Sequence, residues 1–166
     1  MDSAQPSFTR RTAIGLTGSV ALAGFLILNA TNPVAARGYR IQRSKAEWRR
    51  RLSDKQFYIL REAGTEAPFS SSLNKEKRKG IFHCAGCNNA LYSSATKYES
   101  GTGWPSFWKP LKGAVGTSDD YRLVVPRTEV HCADCGGHLG HVFNDGPKPT
   151  GKRWCMNGAA MTFRPA

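Results

Sequence analysis

Carboxylates are scarce in this chain, and long apolar runs are missing. Twelve Asp and Glu stand against 24 Lys and Arg, a formal charge of +12. Such a balance fits nucleic acid, an anionic membrane face or a soluble protein of biased composition. Position narrows the choice. Arg37, Arg40, Arg43, Lys45, Arg49, Arg50 and Arg51 oppose only Glu47, so this run alone carries +6, with a smaller cluster at Lys75 to Lys79. The segments rich in Cys and His carry little of that charge, so the run reads as a solvated face and not as a nucleic-acid site. The apolar stretch from Ala13 to Leu28 is short for a bilayer span and broken by Gly15, Gly18 and Gly24, which argues against a membrane anchor. No internal repeat occurs beyond two C-x-x-C pairs. Cysteine is sparse and odd in number, five in 166 residues. If four act together one is left over, a candidate reactive thiol.

The first 36 residues read as an address. Arg10-Arg11 precedes an uncharged stretch from Thr12 to Ala36 that ends in Val34-Ala35-Ala36, small residues suited to a signal peptidase. Adjacent arginines point to twin-arginine export of a folded protein. Residues 1–36 are therefore expected to be a signal peptide, residues 37–166 a single exported domain in a bacterial periplasm, and membrane attachment to arise only if the leader stays uncleaved. An oxidising compartment favours disulfides. Folding around a metal before export would instead hold the thiols as metal thiolates.

Two short helices should follow, each opened by a capping box: Ser44-x-x-Glu47 and Ser53-x-x-Gln56. Trp48 with Leu52, and Phe57 with Leu60, have the spacing of a buried face, and Gly64 should end the second helix. Gly64 to Leu73 reads as a connector. From Gly80 onward the pattern turns to short strands, at Ile81–His83, Tyr121–Val125, Thr128–His131 and Ala160–Phe163. The expected architecture is mainly β, with a short N-terminal helical arm.

Cys84-x-x-Cys87 and Cys132-x-x-Cys135 have the spacing of two metal knuckles. Four thiolates in a closed tetrahedral shell fit one structural zinc, which would staple two distant parts of one sheet. Iron and a pair of disulfides are the alternatives. Cys155 remains. In an extended strand Arg153, Cys155 and Asn157 share one face. A guanidinium beside a thiol favours the thiolate, and Asn157 can donate a hydrogen bond to a substrate oxygen; a buried structural cysteine is the bland alternative. His138 and His141 could supply an acid or hydrogen-bond donor, but in a plain strand they face opposite ways, so a bend at Gly140 is needed to unite them. Metal ligation or a place in the core are their other readings. Lys97 to Trp108 gathers aromatics on a glycine-shaped loop, where Trp104 and Phe107 are candidates for a substrate-pocket wall or for core packing.

From about Ser44 to Arg164 the chain resembles the type B methionine sulfoxide reductases, which act on the R epimer. The resemblance rests on LSDKQFYILREAGTEAPFS, both knuckles, TKYESGTGWPSF, and PRTEVHCADCGGHLGHVFNDGPKPTGKRWCMNGA, in that order. It implies two antiparallel sheets, a structural zinc on Cys84, Cys87, Cys132 and Cys135, and Cys155 as nucleophile in an R-x-C-x-N motif. His138, His141 and Asn157 would bind and activate the sulfoxide, and Trp104 would receive the substrate methyl group. In many members a second cysteine within ESG-x-GWPSF closes a disulfide on the nucleophile; here that position is Thr102. Attack would leave Cys155 as a sulfenic acid, so an external thiol, thioredoxin-like or other, is the expected reductant. Oxidised proteins or peptides are the expected substrates, and a monomer the expected state. A zinc-ribbon nucleic-acid binder and a non-catalytic ligand-binding module on the same fold are the rivals.

Overall fold

A computed structural model describes residues 38–166 apart from Val124. The expected signal peptide at 1–36 lies outside the described residues. Among those described, no helix is long and apolar enough to cross a membrane.

Both capping boxes form. Ser44 and Glu47 exchange side-chain and backbone hydrogen bonds at the start of α1, Lys45–Arg51, and Ser53 and Gln56 do the same for α2, Asp54–Glu62. Reciprocal caps satisfy donors that a short helix would otherwise leave open. Trp48, Leu52, Phe57 and Leu60 are buried as their spacing requires. The second helix stops one residue before the glycine expected to end it: Ala63 takes the left-handed conformation, at φ 51°. The Tyr58 ring lies over Gly64 where a Cβ would stand, and would have to turn aside for any side chain there.

Among the described residues, nine strands form two antiparallel sheets. The smaller has the order β2-β1-β9, from β1 Gly80–Cys84, β2 Ala90–Ser93 and β9 Met161–Pro165. The larger contains β3 Lys97–Tyr98, β4 Ser106–Phe107, β5 Val115–Asp120, β6 Arg127–Cys132, β7 His138–Phe143 and β8 Arg153–Met156, in the order β3-β4-β8-β7-β6-β5. Aromatic packing joins the sheets. Phe107 stacks on Tyr92 with ring centroids 4.3 Å apart and meets Phe82 edge-on at 5.0 Å. Leu60 and Ile59 of α2 add to the same core.

One expected strand is not a strand. Tyr121, Arg122, Leu123 and Val125 are exposed and lie in no strand, and the strand is just before them, at Val115–Asp120. Alternating apolar residues imitate a half-buried strand, but here no second layer covers them. The real strand is poor in apolar residues (VGTSDD) and is fixed by its backbone ladder to β6. At the C-terminal end a 3-10 turn at Gly158–Ala160 leads into β9, so that strand starts at Met161, one residue later than expected.

Candidate functional site

The four knuckle sulfurs lie within 4.8 Å of one another. Cys84 and Cys135 Sγ are 3.8 Å apart, Cys87 and Cys132 Sγ 3.5 Å. A tetrahedral shell with Zn–S bonds of about 2.3 Å separates its sulfurs by about 3.8 Å, so the donor set fits a single ion, and none of the four is in a disulfide. The knuckles repeat one backbone device. Asn88 and Gly136, each directly after the second cysteine, take φ of 66° and 64°. Each donates its N–H to the carbonyl of the first cysteine, at 2.8 and 2.9 Å. Cys84 ends β1 and Cys132 ends β6, so the cluster ties the small sheet to the large one. The expectation of a staple within one sheet is corrected: the spacing of 44 residues between Cys87 and Cys132 spans both sheets.

Cys155 sits apart from that cluster, on β8, with Ser106 of β4 opposite it on one side and His141 of β7 opposite it on the other. It lines a cavity of about 110 Å³ together with Thr65, Trp104, Arg127, Gly140, His141, Phe143 and Asn157. The two histidines are brought together by a bulge. Glu129 pairs with His141 and His131 with His138, so Leu139 is an extra residue in β7 and the alternation of faces resets. The His138 and His141 rings consequently lie 5.3 Å apart, edge to face. Gly140 permits this, since a Cβ there would overlap the Cys155 carbonyl oxygen.

Each histidine is held by a carboxylate. His141 Nε2–H donates to Asp120 Oδ2 at 2.8 Å, and His138 Nδ1–H donates to Glu129 Oε1 at 2.6 Å. His138 Nε2 is buried without a hydrogen-bond partner among the described residues. Hydrogen bonds from His141, the Arg122 N–H and Arg127 hold the Asp120 carboxyl below the usual carboxylate range. Glu129 is pushed down to about 2, chiefly by its bond with His138. Burial lowers the His141 imidazole, and the bond to Asp120 opposes that shift. Burial thus favours the neutral form of the His141 imidazole, while the Asp120 carboxylate stands ready to stabilise its protonated form.

Trp104 lines the cavity, its indole Nε1–H donating to Glu66 O at 3.1 Å. Asn157 also lines it, although buried: Oδ1 accepts from the Glu66 N–H at 3.0 Å and Nδ2 donates to Leu139 O at 3.1 Å. Arg153 is paired side-on with Asp145, two contacts of 2.9 Å, and does not line this cavity. Phe107 is fully buried in the core and is no wall of it. The reason is strand alternation: Ser106 pairs with Cys155, so its neighbour Phe107 points to the opposite face.

Sequence reasoning missed Thr65, Glu66, Asp120, Arg127, Glu129 and Phe143. Arg127 and Glu129 share a strand face, a pattern available in PRTEV. Asp120 gave no such sign, since only the β5–β6 register sets it opposite Arg127, within 2.7 Å. Glu66 comes from the supposed connector. Its buried carboxylate accepts the N–H groups of Gly158 and Ala159 and pairs with Lys55 at 3.2 Å, so this segment is anchored against the site.

Two sheets stapled by clustered thiols, with one further thiol kept apart in a cleft beside a carboxylate-held imidazole, define a metal-knuckle β protein with a thiol centre. The chain belongs to the SelR domain family, whose model matches residues 52–165. It is 50% identical over 127 residues to the "Peptide methionine sulfoxide reductase MsrB" of Leptospira interrogans, spanning 76% of this chain and 97% of that one. The protein of the same name from Agrobacterium fabrum is 49% identical over 127 residues, 76% of this chain and 94% of that one. "Methionine-R-sulfoxide reductase B2, mitochondrial" of Rattus norvegicus is 47% identical over 136 residues, 76% of this chain and 78% of that one.

Proposed function

We propose that this chain reduces methionine (R)-sulfoxide in oxidised proteins and peptides to methionine, with Cys155 as nucleophile. The observation that carries the reading is the direct pairing of Cys155 with His141 inside an aromatic-walled cavity, with Asp120 on the far side of the imidazole. The Cys155 thiolate attacks the sulfoxide sulfur, and protonated His141 gives a proton to the sulfoxide oxygen. The S–O bond to methionine breaks and the oxygen ends on Cys155 as a sulfenic acid. Methionine sulfur gains two electrons and the cysteine sulfur loses two. Trp104 and Phe143 exclude water around the substrate methyl group, and Asn157 with Glu66 fixes the cavity floor. One external thiol then displaces hydroxide from the sulfenic sulfur as water, and a second releases Cys155 from the mixed disulfide.

Zinc is the metal that four clustered thiolates fit best, and when bound it supplies cross-linking of the sheets and no reaction chemistry. Thr102 occupies the position of a resolving cysteine, with Oγ1 3.8 Å from Cys155 Sγ. Because the remaining cysteines belong to the knuckles, regeneration falls to a thioredoxin-like or other external thiol. The arginine pair and small-residue end of residues 1–36 favour twin-arginine export to the periplasm.

Reduction of each methionine sulfoxide epimer with dithiothreitol tests the reading. Wild type should consume the R epimer only, and Cys155→Ser neither. Turnover of the S epimer, or activity surviving in Cys155→Ser, would overturn it. Salt-dependent nucleic-acid binding without any reduction would restore the zinc-ribbon alternative.

A further inference from the structure

Tyr121, Leu123 and Val125, from the segment expected to be a strand, are 72%, 56% and 70% exposed. Three large apolar side chains left in water on one short loop are unusual for a surface with no partner. Their loop is not free to drift from the cavity. Asp120 at its start and Arg127 at its end pair at 2.7 Å, and Asp120 also holds His141. The Arg122 N–H donates to Asp120 Oδ1 at 3.0 Å. Its guanidinium reaches Ala63 O at 3.2 Å, two residues before Thr65 in the cavity wall. Arg127 itself lines the cavity. Asp120, Arg122 and Arg127 thus tie the loop to the elements around the cavity, while Tyr121, Leu123 and Val125 are left exposed as an apolar ledge.

We infer that Tyr121, Leu123 and Val125 form a docking ledge for the apolar residues that flank an oxidised methionine in a polypeptide. The inference rests on the reductase reading above and adds a sequence preference to it: methionine sulfoxide flanked by apolar residues, in preference to polar surroundings. The chemistry is complementary. Methionine belongs mainly to cores and apolar interfaces, and its oxidation inserts a polar group that disrupts them. The segment that such damage exposes is apolar on both sides of the sulfoxide. The cavity of about 110 Å³ admits little more than the end of one side chain, so neighbouring residues must lie outside it, and the loop that ends at the cavity-lining Arg127 is available to them. Burying even part of an apolar side chain there strengthens binding of the longer substrate and leaves the chemical step alone.

The test compares three substrates with the full chain: N-acetyl-methionine-(R)-sulfoxide, a short peptide with Leu and Phe flanking the sulfoxide, and one with Ser and Gln in those places. Wild type should prefer the apolar peptide over the polar one through KM. The triple variant Tyr121→Ser, Leu123→Ser, Val125→Ser should lose about tenfold in kcat/KM on the apolar peptide, with the small substrate unchanged. These side chains are exposed, so the fold should survive. Leu123→Ser alone gives a smaller loss in the same direction and guards against a misfolded triple variant. Equal rates on both peptides, or equal loss on all three substrates, would overturn the ledge. A dimer seen by light scattering in wild type and lost in the triple variant, with peptide kinetics unchanged, would assign the patch to a second copy and overturn it too. Absence of turnover on N-acetyl-methionine-(R)-sulfoxide by wild type is a different failure, that of the reductase reading itself.

Discussion

His141 stands directly opposite Cys155 in the β7–β8 ladder, so the proposed acid and nucleophile are placed by backbone pairing and not by flexible side-chain reach. The imidazole has a carboxylate behind it, at 2.8 Å from Nε2. Burial pulls His141 down while Asp120 pulls it up.

Replacing Asp120 by Asn removes the upward pull. The protonated imidazole becomes scarcer at any given pH, and a rate that needs it falls away earlier as pH rises. Asp120→Asn should therefore move the alkaline limb of the kcat profile to lower pH, with at least about a tenfold loss at neutral pH and partial recovery on acidification. A profile of unchanged shape between pH 5 and 8 would remove His141 from the acid's role.

Thr102 makes a direct prediction about regeneration. After one turnover without reductant, wild type should carry a sulfenic acid on Cys155 and no intramolecular disulfide, as read by mass spectrometry with a sulfenic-acid trap. Thr102→Cys should form that disulfide. The present separation of 3.8 Å to Oγ1 must close to an S–S bond of about 2.05 Å, a shift the exposed turn at Gly101 can absorb. A Cys155 disulfide in the wild type would refute external regeneration.

Gly140 has no room for a side chain. A methyl group there would overlap the Cys155 carbonyl oxygen and lie 3.0 Å from Met156 Cα, at a φ of 156° that favours glycine. Gly140→Ala should cost about 2–4 kcal/mol in urea unfolding and should slow turnover, since relief of the clash shifts the strand that carries Cys155.

Metal removal tests the staple. Atomic emission should find one zinc per chain in wild type and little in Cys84→Ser. Loss of the ion should lower Tm by about 10 °C or more, because a link between two sheets is removed. Full Tm retained after chelation would show that the aromatic core alone holds the sheets together.

Local rules read well from this sequence. The two capping boxes and the knuckle spacing involve residues three apart, so their geometry follows from the chain itself. Tyr121 to Val125 shows the limit of such rules, since alternation predicts a strand only if a second layer exists to bury one face. Phe107 shows another: whether an aromatic walls a pocket or fills a core depends on the strand register that put Ser106, its neighbour, opposite Cys155.

By itself the sequence determined the chemistry available: four thiols spaced to hold one ion, a fifth left over, and histidines and aromatics that could serve it. Only the tertiary structure decided which groups meet. The bulge at Leu139 united His138 and His141, and β5–β6 pairing delivered Asp120 to an imidazole 21 residues away. The physical reason is that a one-residue change of register in a sheet turns every side chain to the other face. That register is set by many backbone hydrogen bonds acting together, which no single residue announces.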